Sequence, residues 1–364
     1  MNQESAQVAA ATSTASSRLA QLGIRFPYMI GPMVGLTHVA MRELIRRYLP
    51  AGLDALLFTE MLSSLRLPSE RLTHADELRV APGETHVVPQ LLANEEWYIK
   101  RSLQKLEGIS PWGIDINMGC PVKQTLRHNW GVRLMGDPKY AAQVVRLAKQ
   151  YSLRPISVKM RCGLDEADLD YILRFTDHIE QAGADWITIH ARPKAQKHKG
   201  QANWQIVADV RERRSIPVVV NGDIQTAEDA LGLMADASVD GVMIGRAATA
   251  RPWILWQIAE RLGYQDKPFA FSERNAPQSA EEEGAFYLDS LIHFIDLLEH
   301  YFDNEAKKMK RFKFYLIQGH KWFFYGHSLY SRCMKCRSLP EIRDMLCEYQ
   351  QTVEFPMTQR ITLQ

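Results

Sequence analysis

Cysteine is scarce in this sequence, which contains only Cys120, Cys162, Cys333, Cys336 and Cys347. An odd and widely spaced set does not build the disulfide framework of a small secreted domain, so we expect a reducing compartment. Long apolar runs are also missing, and no stretch approaches the roughly 20 apolar residues of a membrane-spanning helix. Neither sign of charge dominates, because the net charge is only +2. Any charged partner must therefore be inferred from how the charges are distributed.

The start of the sequence lacks the features of a secretory signal. Residues 1–17 are rich in Ala, Ser, Thr and Gln, with neither a basic beginning nor a continuous apolar core. We predict that residues 1–24 form a flexible N-terminal tail. We expect a cytoplasmic protein that has no membrane segment.

The chain that follows alternates short apolar runs with longer amphipathic ones. Short runs that are apolar throughout are typical of parallel strands covered on both faces. Eight such runs predict a (β/α)₈ TIM barrel over residues 25–265, although two successive doubly wound domains would give a similar count. No linker divides this region, which favours the single barrel. The runs are YMIGPM, ALLFTEM, THVVPQLL, GIDINMG, PISVKMR, DWITIHAR, IPVVVNGD and GVMIGRA.

A break rich in Pro, Asn and Ser follows the barrel pattern over residues 264–280. Beyond it the apolar residues have helical spacing, without the alternation of strands. We therefore predict an α/β fold in which the barrel is followed by a smaller C-terminal all-helical domain over residues 275–350.

Two glycine-containing strand ends predict a phosphate site. In a barrel of this kind the functional groups lie at the C-terminal ends of the strands, and phosphate often binds after strands seven and eight. Glycine turns let backbone N–H groups approach an anion, and an arginine can add a bidentate contact. Each turn alone could simply be a tight turn, but the pair on consecutive strands favours phosphate. The candidate residues are Asn221, Gly222, Asp223, Gly245 and Arg246.

Other polar side chains at strand ends are candidates for the same opening: Gln90, Asn117, Cys120, Lys159 and His190. A lysine at a strand end is usually only solvated, and a single histidine there can be a satisfied core residue. Within a barrel opening, Lys159 could instead hold negative charge on a bound group. Cys120 could be a small buried filler, but its place in a polar turn directly after a strand favours a chemical role.

Eight short motifs follow one another along the chain: GPMVGLTHVAMRELIRR, FTEML, INMGCP, VKMRCG, ITIHAR, AQKHKGQANW, VVVNGDI and GVMIGRAATARPW. Any one motif is unspecific, but their common order and spacing are specific. Together they resemble the tRNA-dihydrouridine synthases, a family of flavin-dependent barrels with a helical C-terminal domain. The resemblance is strong over residues 28–252 and weaker to about residue 345.

The resemblance implies a reaction and a cofactor. NADPH would reduce tightly bound FMN, the flavin would give hydride to C6 of a uracil, and the cysteine of the GCP turn, Cys120, would protonate C5. An ordinary cysteine thiol has a pKa near 8.5 and is mostly protonated at neutral pH, so it can donate this proton. Cys162 is expected to be a non-catalytic neighbour. The implied FMN contacts are Pro32, Met33, Val34, Gln90, Lys159, His190, Asn221, Gly222, Asp223, Gly245 and Arg246, while Asn117 would face the uracil.

The family's substrate requires a surface that grips RNA, because a base in folded RNA must be flipped out to reach a flavin. Residues 301–340 carry nine Lys or Arg against two acidic residues, a local net charge of +7. Interleaved aromatic residues there are mostly expected to be helical core. We predict tRNA contacts from Lys307, Lys308 and Arg311, and from Arg192 and Lys197 in a basic loop at the barrel opening.

Other functions remain open on sequence alone. A flavin oxidoreductase for a free pyrimidine, as in the dihydroorotate dehydrogenases, would need no basic helical segment. A non-catalytic RNA-binding barrel would need neither the cysteine nor the flavin residues. Ribosomal RNA is a further possible target. The CMKC segment could bind zinc, but it has no second pair and has helical spacing, so we expect no metal. We also expect a monomer.

Overall fold

The structure is a computed structural model that describes residues 18–72, 75–197, 199–236, 238–352 and 356–362. Residues 1–17 of the predicted tail therefore lie outside the described residues. Within the described ranges, no helix is both long and apolar enough to cross a membrane.

Eight parallel strands pair in sequence order and close into a barrel. The predicted (β/α)₈ fold is therefore confirmed, and every predicted strand run overlaps one of the observed strands. The strands are β1 (Tyr28–Ile30), β2 (Leu57–Ser63), β3 (Val87–Leu92), β4 (Ile114–Met118), β5 (Ile156–Arg161), β6 (Trp186–His190), β7 (Val218–Asn221) and β8 (Gly241–Ile244).

Amphipathic helices cover the outside of the barrel and bury one apolar face against the strands. Asp137 shows how the sequence starts one of them: its carboxylate accepts a hydrogen bond from the Tyr140 amide, and Pro138 occupies the first helical position. The helices of this part of the chain are α1 (Val39–Arg46), α2 (Glu96–Leu106), α3 (Lys123–Arg127), α4 (Pro138–Tyr151), α5 (Leu169–Gln181), α6 (Trp204–Arg213), α7 (Ala227–Ala235), α8 (Ala247–Ala250) and α9 (Ile254–Arg261).

The lower interior of the barrel is filled by a separate apolar cluster. It contains Met29, Phe58, Val88, Trp186, Val219 and Met243. Strand neighbours of most of these residues, such as Ile30, Ile187 and Val220, belong to the outer core. Because successive side chains of a strand point to opposite faces, this cluster lies inside the barrel. Leu19 and Ile24 complete it and are almost fully buried. The predicted tail is therefore wrong for residues 18–24, which close the base of the barrel.

The rest of the chain is helical: α10 (Ala280–Tyr301), α11 (Glu305–Gly319), α12 (Gly326–Lys335) and α13 (Leu339–Thr352). A capping box starts α10, where Ser279 accepts from the Glu282 amide and the Glu282 carboxylate accepts from the Ser279 amide. A buried ion pair joins this helical region to the barrel: Arg251 donates from Nε and Nη2 to the two oxygens of Glu283, each over 2.8 Å.

Candidate active site

A cavity of about 320 Å³ opens at the C-terminal ends of the strands. We call it the mouth cavity. It is lined by residues from every strand end at which the sequence predicted a functional group of the barrel opening. Its predicted lining residues are Pro32, Met33, Val34, Gln90, Asn117, Cys120, Lys159, His190, Asn221, Gly222, Asp223, Gly245 and Arg246, and it is also lined by Met61, Arg161 and Trp322.

The loops after β7 and β8 leave room for a group close to the backbone. Gly222 has a φ of +115°, and a Cβ there would lie 3.6 Å from the Cε1 and Nε2 atoms of His190. A Cβ on Gly245 would point into open space. A side chain at Gly222 would be strained by its backbone, and one at Gly245 would fill part of the cavity. Both glycines therefore keep this end of the mouth cavity open to a ligand.

Lys159 lies inside the barrel opening and donates from Nζ to Oδ1 of Asn221 over 2.9 Å. Asn221 in turn donates to the Met243 carbonyl over 2.8 Å. This hydrogen bond orients the Asn221 amide so that its oxygen faces Lys159. Burial is the largest cause that lowers the pKa of Lys159 to about 8; the charge of Arg161 acts in the same direction, and the negative charge of Asp115 opposes the shift. Lys159 therefore carries a positive charge at neutral pH and can stabilise an anionic group in the cavity.

Cys120 is half-exposed and lines the mouth cavity in the turn after β4. Its Sγ lies 3.6 Å from the Thr125 hydroxyl. The turn packs tightly against Gly131, whose φ is +62° and whose Cβ position would lie 2.5 Å from the Cys120 carbonyl oxygen. Only glycine fits at this position, so Gly131 allows the chain to pack closely against the turn that carries Cys120.

Trp130 anchors the loop that carries the cysteine. Its indole Nε1 donates to Asn94 over 2.7 Å, its ring stacks on His128, and it is 4% exposed. Trp130 is therefore a buried residue that stabilises the polar loop around it. The indole hydrogen bond joins the loop to the neighbouring loop after β3.

Arg161 ends the strand run that contains Lys159 and was expected to face the same opening, but sequence analysis gave it no role. It lines the mouth cavity, donates from Nε to the Gly119 carbonyl, and donates from Nη1 to the carbonyls of Pro193 and Lys197, each over 3.1 Å. This guanidinium therefore ties the loop after β4 to the loop after β6. Burial lowers the pKa of Arg161 from its ordinary value.

Arg192 does not lie where a substrate contact was predicted. It is 1% exposed, and its Nη2 donates to the Asp223 carboxylate over 2.6 Å and to the Gly200 carbonyl over 2.5 Å. The carboxylate of Asp223 is thereby turned towards the loop after β6. Lys197 is exposed on that loop but does not line the mouth cavity.

The basic residues predicted to contact RNA from α11 are largely engaged with acidic residues. Lys308 is 5% exposed and pairs with Glu299 and Glu305. Arg311 pairs with Asp76 over 3.1 Å and lies 3.6 Å from Glu60.

The ion pairs of Arg311 hold α11 against β2, which carries Glu60, and against the loop after β2, which carries Asp76. Lys307 also pairs with Asp76, but its side chain is 64% exposed. Of the three predicted contacts, Lys307 is the one whose charge faces solvent.

Trp322 brings the helical region into the mouth cavity, and sequence analysis placed it among the aromatic residues of that region. It is 1% exposed and donates from Nε1 to the Gln225 side chain over 3.1 Å. Its partner is 97 residues away in the sequence, so no local pattern could reveal the contact. The mouth cavity is thus built from both parts of the chain.

The sequence matches the family model described as "Dihydrouridine synthase (Dus)" over residues 29–317. It is 32% identical over 251 residues to a "Probable tRNA-dihydrouridine synthase 1" of Synechocystis sp., an alignment that covers 69% of this chain and 68% of that protein. It is 31% identical over 235 residues to the "tRNA-dihydrouridine(16) synthase" of Salmonella typhimurium, covering 62% of this chain and 73% of that protein. Among solved structures, "Crystal structure of TcOYE with pHBA" aligns with a TM-score of 0.46 and 9% identity, over 70% of this chain and 94% of that one.

Proposed function

Because this chain belongs to the dihydrouridine synthase family, we propose that it uses FMN and NADPH to reduce the C5–C6 double bond of specific uridines in tRNA, giving 5,6-dihydrouridine. The observation that carries the proposal is the convergence of Cys120, Lys159 and Asn117 on one cavity at the C-terminal mouth of the barrel. The relatives described above are named for the same product in tRNA.

The residues of the mouth cavity fit FMN. The open backbone at Gly222 and Gly245, with Arg246 beside them, suits a terminal phosphate. Lys159 supplies a positive charge, and Gln90 an amide, for the polar edge of the flavin ring. Pro32, Met33 and Val34 line the cavity from the loop after β1 and offer apolar surface to the ring.

When bound, FMN supplies to C6 of the uracil the hydride that it has accepted from NADPH. Cys120 supplies the proton: its S–H bond breaks, the proton goes to C5, and the thiolate regains a proton from solvent. Asn117 lines the cavity below the cysteine turn and presents an amide to the base. If the flavin covers one face of the base, the proton from Cys120 must reach the other face.

The position of exposed cations suggests where RNA approaches. Helix α3 follows the cysteine turn directly and exposes Lys123 and Arg127. The loop after β6 exposes Lys197 and Lys199 and is tied to the cysteine turn through Arg161. We place the RNA backbone over these two loops, because phosphate contacts there would position a flipped base at Cys120.

Lys307 is the remaining candidate on α11. The pairing of Arg311 with Asp76 leaves its charge partly neutralised, and Lys308 is buried. Arg311 therefore docks the helical region on the barrel, whereas Lys308 pairs within the helical region, with Glu299 of α10 and Glu305 of α11.

Spectroscopy on the purified protein tests this function directly. The protein should be yellow, its flavin absorption should bleach with NADPH, and tRNA lacking dihydrouridine should restore the oxidised spectrum and gain dihydrouridine by mass spectrometry. Restoration by orotate or free uracil would instead assign a free pyrimidine substrate. Restoration by ribosomal RNA but not by tRNA would move the activity to the ribosome.

A further inference from the structure

A carboxylate lies fully buried inside the barrel below the mouth cavity. Asp115, on β4, is 0% exposed and does not line the cavity. Its Oδ1 accepts from the Ser157 hydroxyl over 2.5 Å, and its Oδ2 accepts from Nε2 of Gln90 over 2.7 Å. Since burying a carboxylate costs free energy unless it is hydrogen-bonded, its presence beneath the site calls for an explanation.

The hydrogen bonds continue from Asp115 up to the cysteine turn. Oε1 of Gln90 accepts from Nδ2 of Asn117 over 2.7 Å. Oδ1 of Asn117 then accepts from the backbone amides of Gly119, over 3.2 Å, and Cys120, over 3.0 Å. Every donor in this chain points towards Asp115, and the last links hold the backbone of the turn that carries the thiol.

The direction of the chain depends on the group at its base. A side-chain amide has a donor end and an acceptor end, and either end can be presented by a rotation of the group. An ionised carboxylate only accepts, so Asp115 requires Gln90 to present its NH₂ group downwards and its oxygen upwards. Asn117 must then present its NH₂ group to Gln90 and its oxygen to the amides of the turn.

We propose that Asp115 is a positioning residue that sets the orientation of the Gln90 and Asn117 amides and, through them, holds the backbone of the Cys120 turn. The assignment of Cys120 as proton donor rests on the proposed function, whereas the hydrogen-bond chain does not. Both polar atoms of each amide are used within the chain, so Gln90 and Asn117 each have one defined orientation at the mouth cavity.

The test compares two substitutions of Asp115 of similar size. Asp115→Leu removes the acceptor, and either amide can then reverse. Asp115→Asn can keep the chain, since its oxygen can accept from Gln90 while its NH₂ group donates to Ser157, whose hydroxyl can act as an acceptor. Amide hydrogen exchange, followed by mass spectrometry on peptides that contain Gly119 and Cys120, reports directly on the last link.

We expect Asp115→Leu to speed exchange of these two amides at least tenfold and to lower kcat for dihydrouridine formation at least tenfold, with the KM for tRNA changed less than threefold. Asp115→Asn should restore both quantities to within about threefold of the unaltered protein. Assays at about pH 7 lie above the pKa of Asp115, which burial raises to about 6, and below the pKa of Lys159, which is about 8. Both variants remove the carboxylate charge that raises the pKa of Lys159, so the comparison between them isolates the hydrogen bond to Gln90. A folded Asp115→Leu protein with unchanged exchange and unchanged kcat would overturn the proposal, and so would an Asp115→Asn protein as impaired as the leucine variant.

Ser157→Ala is the matched control, because it removes a hydrogen bond to the same carboxylate but leaves the link to Gln90 intact. It should leave the exchange of the turn unchanged. If Asp115→Leu does not fold, Asp115→Ala gives the same test, since alanine also offers Gln90 no acceptor. The exchange measurement needs neither NADPH nor tRNA, so it stands even if the unaltered protein makes no dihydrouridine, an outcome that would refute the proposed function alone.

Discussion

Removal of one partner of the Arg251–Glu283 ion pair should strongly destabilise the contact between the barrel and the helical region. The two side chains are 1% and 2% exposed and share two hydrogen bonds of 2.8 Å. Gln257 also donates to Glu283, over 3.0 Å. Glu283→Leu leaves the guanidinium buried without its counter-charge, and breaking a buried pair in this way costs about 3–5 kcal/mol.

The free energy of unfolding, measured by urea titration, should fall by that amount in Glu283→Leu. Trp253 and Trp256 are buried close to Arg251 in the sequence, so their fluorescence reports on this contact. The double variant Arg251→Met/Glu283→Leu should recover most of the loss, because replacing both charges by apolar groups removes the unpaired charge. A loss below about 1 kcal/mol for the single variant, or a double variant no more stable than the single one, would refute the reasoning.

Three further predictions concern the mouth cavity and its surroundings. Cys120→Ala should still bind the flavin and allow its reduction by NADPH, but its rate of dihydrouridine formation should fall at least 100-fold. The control variant Cys347→Ala should have an unchanged rate. Full turnover by Cys120→Ala would exclude the role assigned to Cys120. Burial lowers the pKa of Lys159 to about 8, so its positive charge is present below that pH and is lost above it. Flavin affinity, measured by equilibrium dialysis, should therefore fall as the pH rises through 8. A fall that persists in Lys159→Met would implicate another group. Lys123→Glu should weaken tRNA binding at least threefold in a filter-binding assay, with a shallower salt dependence. Lys308→Gln should lower the melting temperature of the protein and change its tRNA affinity little. The reverse pattern would indicate that α11, and not the loop after β4, contacts the RNA.

Much of the barrel could be predicted because the sequence pattern that indicates each strand is confined to a few consecutive residues. Each parallel strand is a short apolar run, and the polar residue that ends the run must lie at the same edge of the barrel as the others. For that reason Gln90, Asn117, Lys159 and Asn221 could be placed in one opening before their distances were known. The structure brings them together within hydrogen-bonding reach, as in the 2.9 Å contact between Lys159 and Asn221.

The features that sequence could not give depend on partners far away along the chain. Arg311 has basic neighbours in sequence, but its partner Asp76 is 235 residues away, so a local count of charge overestimates what is available to RNA. Arg192 was similarly predicted from a basic loop, although Asp223 neutralises it. Leu19 and Ile24 carried no periodic signal, and only the closed base of the barrel shows why they are buried.

The indole of Trp322 has a consequence for how such enzymes can be recombined. One wall of the mouth cavity is supplied by Trp322 of the helical region, and its indole is hydrogen-bonded to Gln225 in the loop after β7. A hybrid that joins this barrel to the C-terminal module of a relative would therefore inherit a chamber of altered shape. The two modules cannot be exchanged as independent parts unless the tryptophan and its glutamine are transferred together.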